Sequence, residues 1–283
     1  MSIVVTGIRG QLGHDIVNEL ISNGYRDIVA IDIEHLDITK ATDVEAFFKE
    51  NKPSVIIHCA AYTAVDNAED NEEIAMNVNV QGTKNLVLEA EKYGAKLLYI
   101  STDYIFDGEN MEPYEIFDLP NPLSIYGKSK YLGELETIKY SRHFIIRISW
   151  VFGKNGKNFV KTMLKLGNEM DSLSVVSDQV GSPTYTYDLA KLVLEIVNTE
   201  KYGIYHATNE GFCSWYDFAK EIFKLTNNNI YVNPISSNQY VTKAKRPMNS
   251  RLSKASLIEN GFQQLPHWKD ALKRYLKEIE VIE

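Results

Sequence analysis

The segment Ile3-Val4-Val5-Thr6-Gly7-Ile8-Arg9-Gly10-Gln11-Leu12-Gly13 passes from a short apolar run through three glycines into a helical pattern. The glycines stand three apart, which is not the G-x-G-x-x-G spacing of the standard dinucleotide fingerprint. The physical task is the same: a tight turn, close approach of the backbone at Gly7, Gly10 and Gly13 to a pyrophosphate, and a helix packed close on its strand. A glycine-rich turn with no ligand is the competing reading. Asp32 weighs against it, because it follows the next apolar run, where a carboxylate accepts hydrogen bonds from an adenine ribose. Arg9, inside the loop, is placed to pair with a 2'-phosphate. The expected cofactor is therefore NADP(H), with NAD(H) as a second option because Asp32 suits an unphosphorylated ribose. Asp37 and Ile38 are expected near the adenine, and Ala61, Tyr62 and Thr63 beside the nicotinamide half.

Outward from this loop, apolar β-branched runs at 3–6, 28–33, 54–60, 97–101 and 144–149 alternate with helical patterns near 11–23, 42–50, 70–92 and 124–140. The runs are almost continuously apolar, as strands covered on both faces of a parallel sheet must be. The alternation predicts βαβ units with right-handed crossovers. The fold class is α/β, a Rossmann-like doubly wound parallel sheet with a smaller C-terminal substrate-binding lobe. The dinucleotide-binding part is expected over 1–150, rejoined by about 184–207, and the lobe over 151–183 and 208–283. In the second half, helices are expected at 158–170, 187–198 and 214–225, short strands at 174–178 and 203–207, and irregular chain over 227–250, which is rich in Asn, Ser and Pro.

Composition narrows the function. A net charge of −8 argues against a general nucleic-acid or anionic-membrane binder, yet leaves room for an anionic small ligand held by local cations and helix N-termini. The two cysteines, Cys59 and Cys213, have no metal-type spacing, so a reduced, cytoplasmic protein is expected. No basic leader precedes an apolar stretch and no apolar run approaches the length of a membrane span. The six histidines show no paired metal spacing; His58, inside the third strand, is expected to be a satisfied core residue. In Lys243-Ala244-Lys245-Arg246-Pro247-Met248-Asn249-Ser250-Arg251 the cations stand out in an acidic chain, and Arg246 is expected to meet a phosphate.

Tyrosine and lysine four apart on a helix share a face, which can draw a phenol's pKa toward the working pH for acid-base chemistry. Three such pairs occur: Tyr126/Lys130, Tyr187/Lys191 and Tyr216/Lys220. Only the first follows a strand ending in hydroxyl residues, Ser101-Thr102-Asp103.

Taken together, Thr6-Gly-x-x-Gly-x-x-Gly13, Asn79-Val80-Gln81-Gly82-Thr83-Lys84-Asn85-Leu86, Ser101-Thr102-Asp103 and Tyr126-x-x-x-Lys130 resemble the extended short-chain dehydrogenase/reductases. Within them, Ala61-Tyr62-Thr63-Ala64-Val65-Asp66, Ser101 to Gly108, Arg147-Ile148-Ser149-Trp150-Val151-Phe152 and Asp178-Gln179-Val180-Gly181-Ser182-Pro183-Thr184 resemble the dTDP-4-dehydrorhamnose reductases, over residues 3 to about 260. The resemblance implies NAD(P)H-dependent reduction of the C4 ketone of dTDP-4-dehydro-β-L-rhamnose, the last step to a donor for cell-surface polysaccharide. It implies Tyr126 as proton donor, Lys130 on the nicotinamide ribose, Thr102 on the reacting oxygen, Thr102 and Asp103 on the sugar, and Trp150 lining the sugar pocket. Gln11 and Leu12 join the dinucleotide contacts. Some relatives dimerise through magnesium, using an acidic residue just after the glycine loop; Asp15 stands there but is read as a helix-dipole partner, so no catalytic metal is expected. A dTDP-sugar is the expected partner, with the chain acting as monomer or homodimer. Related epimerases and dehydratases, and the non-catalytic regulatory subunit of methionine adenosyltransferase, are the competing readings.

Overall fold

Six parallel strands form the central sheet, in the order β10 (Gly203–His206), β5 (His143–Ile148), β4 (Lys96–Thr102), β3 (Val55–His58), β1 (Ile3–Thr6) and β2 (Ile28–Ile31). The computed structural model describes residues 2–283. The first half runs β1 (Ile3–Thr6), α1 (Gln11–Ser22), β2 (Ile28–Ile31), α2 (Ala41–Asn51), β3 (Val55–His58), the short helices α3 (Val65–Ala68) and α4 (Glu72–Met76), a π-helical segment Asn77–Gly82, α5 (Thr83–Tyr93), β4 (Lys96–Thr102), α6 (Ile125–Thr137) and β5 (His143–Ile148). The second half runs β6 (Val151–Phe152), α7 (Phe159–Glu169), β7 (Ser172–Val176), β8 (Val180–Gly181), β9 (Thr184–Tyr185), α8 (Thr186–Val197), β10 (Gly203–His206), β11 (Cys213–Ser214), α9 (Trp215–Leu225), β12 (Tyr231–Ile235), β13 (Asn249–Ser250), α10 (Ala255–Glu259) and α11 (Trp268–Glu278).

Alternate residues of a strand point to opposite faces, and both faces of this sheet are covered. Ile3 and Val5 pack with Leu12 and Ile16 of α1 and with Leu189 and Val193 of α8. Val4 and Ile56 pack on the other face with Phe48 of α2 and Leu86 and Ala90 of α5. A separate core fills the second lobe, where Phe152, Val160, Phe218, Trp268 and Tyr275 meet. Strand order reverses between β1 and β3, both parallel to their neighbours. Ligands of open α/β sheets bind beyond the carboxyl ends of the strands at such a switch point. The glycine loop follows β1 there, and residues 59–63 follow β3.

Three expectations are corrected. The helix read over 70–92 is broken by the π-helical segment Asn77–Gly82. The stretch read as irregular over 227–250 contains β12, which pairs in parallel with β7. Asp15 lies beyond the first turn of α1, which carries no acidic residue; it is buried, and its Oδ2 accepts a hydrogen bond from the Thr186 hydroxyl at the start of α8. Its carboxyl is shifted upward by burial, so it serves as an α1–α8 contact instead of a helix-dipole partner. No helix among the described residues is long and apolar enough to cross a membrane.

Candidate active site

Ser124 starts α6 by accepting a hydrogen bond from Gly127 N at 3.1 Å, an N-cap that satisfies one of the helix's free amides. This cap places Tyr126 in the first turn and Lys130 one turn later. Gly127 lets the helix press on the residues after β4: a Cβ there would collide with the Tyr104 carbonyl oxygen. The result brings Tyr126 beside Thr102, the last residue of β4. The Thr102 hydroxyl donates to Asp103 Oδ1 at 3.0 Å and accepts from Tyr104 N at 3.2 Å. Tyr104 stacks edge-on against Tyr126, with ring centroids 5.6 Å apart.

Burial pushes the Tyr126 phenol well above its ordinary value, the neighbouring Thr102 hydroxyl works against that rise, and the Asp103 charge adds to it. The expected lowering of this phenol by Lys130 is therefore not what the structure has. Lys130 is buried, its Nζ lies over the Tyr99 ring at 4.0 Å from the centroid, and it forms no ion pair among the described residues. Desolvation lowers Lys130 to about 7, with Glu134 and Cys59 pulling the other way. Tyr126 thus keeps its phenolic proton at neutral pH, and Lys130 is a buried amine that gains and loses its charge near pH 7, its Nζ without a hydrogen-bond partner among the described residues. At Tyr187/Lys191 and Tyr216/Lys220 the lysines lie over their own tyrosine rings, at 4.1 and 5.2 Å, on the surface. Only the first pair sits among the groups a reaction needs.

Asp103 is buried, and its Oδ2 has no hydrogen-bond partner among the described residues. Burial raises its carboxyl to about 6 against the pull of the Ser250 and Thr102 hydroxyls. A carboxyl moved from 3.8 to about 6 costs the folded state roughly 3 kcal/mol once ionised. The sign is fixed: the cost is absent below pH 4, grows between pH 4 and 6, and is complete above. Asp103→Asn is therefore expected to raise the melting temperature at pH 8, with the gain vanishing near pH 4. Thermal unfolding of both proteins at the two pH values checks this; a variant less stable at pH 8 would contradict it.

One residue stands in a motif of the sequence, 79–86, without a role having been read for it. Asn79, buried in the π-helical segment, accepts from Tyr62 N at 2.8 Å and donates to Tyr62 O at 3.1 Å and Ser129 Oγ at 2.8 Å. It ties the loop after β3 to the α6 turn between Tyr126 and Lys130. π-bulges of this kind recur at functional sites, but the sequence carries no local sign of one. His58 is a satisfied core residue. The Thr83 hydroxyl donates to Asn79 O, so His58 Nε2 donates to Thr83 at 3.2 Å and Nδ1 accepts from Thr6 at 2.8 Å. Burial holds His58 neutral, lowered to about 3.

A dinucleotide fits the switch point. Gly7 has φ +72°, and a Cβ there would lie 2.6 Å from Ala60 N; only glycine allows this cradle. Gly10 caps α1 with no side-chain hydrogen bond, leaving the amides of Gln11, Leu12 and Gly13 at a helix N-terminus suited to a pyrophosphate. Asp32 accepts from Arg9 N at 3.0 Å and Ile33 N at 2.9 Å, while the Arg9 guanidinium pairs with Glu34. Arg9 and Asp32 thus stand together at one edge. Asp37 turns back on Thr39, accepting from its N at 3.1 Å and hydroxyl at 2.7 Å, and Ile38 packs close to Gly82. The second lobe grips the same loop: Asn155 donates to Arg9 O at 2.7 Å and Asn158 to Gln11 Oε1 at 3.0 Å.

Between the lobes lies a cavity of about 750 Å3. Leu123, just before α6, joins Phe159, Met163, Val175 and Trp215 in a mostly apolar wall, and Lys243, Lys245 and Arg246 supply cations. Trp150 does not line it. Its backbone is left-handed, φ 48°, and its ring stacks 3.6 Å from that of Trp215, so Trp150 supports the wall and Trp215 faces the space. Arg246 is engaged by Asp66, Nη2 to Oδ2 at 2.6 Å and Nη1 to Oδ1 at 3.2 Å. Among the described residues no group of three His, Cys, Asp or Glu is arranged to hold a metal ion.

The RmlD substrate binding domain family matches residues 1–281. The chain is 42% identical to a dTDP-4-dehydrorhamnose reductase of Aggregatibacter actinomycetemcomitans, covering 96% of this chain and 97% of that one. It is similar to the crystal structure of a dTDP-4-dehydrorhamnose reductase from Clostridium acetobutylicum, with a TM-score of 0.97, 43% identity, and 99% and 100% of the two chains covered. It is also similar to the Bacillus anthracis dTDP-4-dehydrorhamnose reductase solved in complex with NADP, with a TM-score of 0.95, 44% identity, and 98% and 100% covered.

Proposed function

We propose a role for each group from one premise: the chain belongs to the RmlD substrate binding domain family, among the dTDP-4-dehydrorhamnose reductases. It is an NADPH-dependent oxidoreductase that reduces the C4 ketone of dTDP-4-dehydro-β-L-rhamnose in dTDP-rhamnose biosynthesis. The observation that carries the residue assignment is a protonated Tyr126 beside Thr102, one helical turn from a buried lysine that forms no ion pair among the described residues.

NADPH, when bound, supplies the hydride. Gly7, Gly10, Gln11, Leu12 and Gly13 would hold its pyrophosphate, Arg9 and Asp32 the adenosine ribose and its 2'-phosphate, Asp37 and Ile38 the adenine side, and Ala61, Tyr62, Thr63 and Lys130 the nicotinamide half. Tyr126 gives its phenolic proton to the oxygen at C4 as negative charge develops there. Thr102 orients that oxygen, and its hydroxyl, the group that works against the rise in the phenol's pKa, eases formation of the tyrosinate left behind. Asp103 meets the sugar hydroxyls, with the Trp150–Trp215 stack backing the sugar and nucleotide space. The cations Lys243, Lys245 and Arg246 meet the diphosphate. A cytoplasmic site of action fits two unpaired cysteines and a soluble reductant.

The test is NADPH oxidation with dTDP-4-dehydrorhamnose and its UDP analogue measured side by side. One NADPH consumed per sugar, with the dTDP compound preferred, supports the reading. Tightly retained NAD with no net consumption of reductant would instead mark an epimerase.

A further inference from the structure

The segment carrying Arg246 is fixed at two places. Gly108, with φ +78°, abuts it so closely that a Cβ would lie 2.7 Å from Pro247 Cα. At the other end Asp66 accepts from both terminal guanidinium nitrogens and also from Ala244 N at 3.1 Å. Lys243 repeats the pattern by pairing with Asp70. Asp66 stands three residues after Thr63, in α3, the short helix that follows β3 at the switch point. The cavity's cationic edge is thus fastened to the half of the molecule that carries the glycine loop.

The pair has little to do for stability. Asp66 is 40% exposed and Arg246 23%, and pairs this open to water contribute little to stability. Its geometry is more specific than its energy, because a fork-to-fork contact fixes the plane of the guanidinium. A long side chain held in one orientation loses less entropy when it meets its ligand. Arg246 keeps a partly exposed surface and lines the cavity, so the carboxylate leaves it able to meet a second anion.

We infer that Asp66 is a positioning residue for substrate: it presents Arg246, already oriented, to the diphosphate of the sugar nucleotide. This rests on the reading that the cationic edge binds the diphosphate, and the two can fail separately. The experiment is calorimetric titration of the full-length protein, saturated with NADP+, with dTDP. Arg246→Ala is expected to weaken dTDP about tenfold or more. Asp66→Asn is expected to weaken it about five- to tenfold, with NADPH affinity within twofold of wild type. In the Arg246→Ala background, adding Asp66→Asn should cost less than twofold, the non-additivity expected of a residue acting through another. A purely structural role for Asp66 would move NADPH affinity as well, or add fully to Arg246→Ala.

If Arg246→Ala leaves dTDP binding unchanged, the diphosphate reading of this edge is wrong and the inference falls with it. If Arg246→Ala weakens dTDP but Asp66→Asn leaves it equal or tighter, only the inference is overturned: Asp66 then competes with the phosphate. Should Asp66→Asn not fold, Asp66→Glu, which keeps the charge but moves it by one methylene, is read by the same criteria.

Discussion

Tyr126→Phe is expected to lower kcat for ketone reduction by about 10²–10⁴-fold, the usual contribution of a positioned general acid, while NADPH binding stays intact. The ring of Tyr126 is kept, including its edge contact with Tyr104, and α6 is capped by Ser124 and not by the phenol. The variant should therefore fold normally, and KM for the sugar nucleotide should change much less than kcat, because the proton is needed only as charge builds on the oxygen. Steady-state kinetics with fluorescence titration of NADPH separates these quantities. A variant with near wild-type turnover would remove Tyr126 as the acid. The raised phenol pKa sharpens the expectation: the free enzyme should show no tyrosine ionisation in the neutral range of its pH–rate profile, since the donor stays protonated there.

That pKa is also where a reading from sequence ran out. The spacing of Tyr126 and Lys130 is legible in any listing of residues, but Tyr187/Lys191 and Tyr216/Lys220 have it too. The strand ending in Ser101-Thr102-Asp103 before it singles out the first pair in the sequence; burial of its lysine, a product of the tertiary fold, separates it in the structure. The direction of the ammonium was equally hidden: it lies over Tyr99, thirty-one residues earlier in the chain, and so does not draw down the phenol. Asn79 opens a motif the sequence shows, but its role was hidden for a related reason, since its partners Tyr62 and Ser129 are 17 and 50 positions away and its π-turn has no sequence signature. By contrast, the sheet strands were plain, because continuous apolar runs leave a doubly covered strand as the economical reading. The strand β12 escaped because Pro234, the preceding Asn227-Asn228-Asn229 and the following Ser236-Ser237 suggest a loop, and only pairing with β7 makes an edge strand of it.

Arg147→Met is the change with the largest expected effect on stability. Arg147 and Glu134 are each 3% exposed; the guanidinium donates from Nε to Oε1 at 3.0 Å and from Nη2 to Oε2 at 2.8 Å, and from Nη1 to Ile116 O at 3.1 Å. His206 beside it is held neutral by burial and by this charge. Removing the guanidinium strands the Glu134 carboxylate in the interior, which typically costs about 3–5 kcal/mol, a large share of the roughly 5–15 kcal/mol by which a folded domain is stable. Urea unfolding measures the loss. The double variant Glu134→Leu/Arg147→Met should lose less than Arg147→Met alone, because no unpaired charge is left buried and apolar replacements of such pairs are often neutral. If both variants lose equally, the pair is contributing through its packing and not its charge. The activity of the double variant carries a second test. Glu134 sits one turn beyond Lys130 on α6 and Arg147 lies on β5, so the pair fixes the helix against the sheet and its carboxylate favours the charged lysine. With the carboxylate gone, Lys130 should lose its proton at lower pH, moving the alkaline fall in kcat toward acid. An unchanged pH profile would restrict Glu134 to holding the fold.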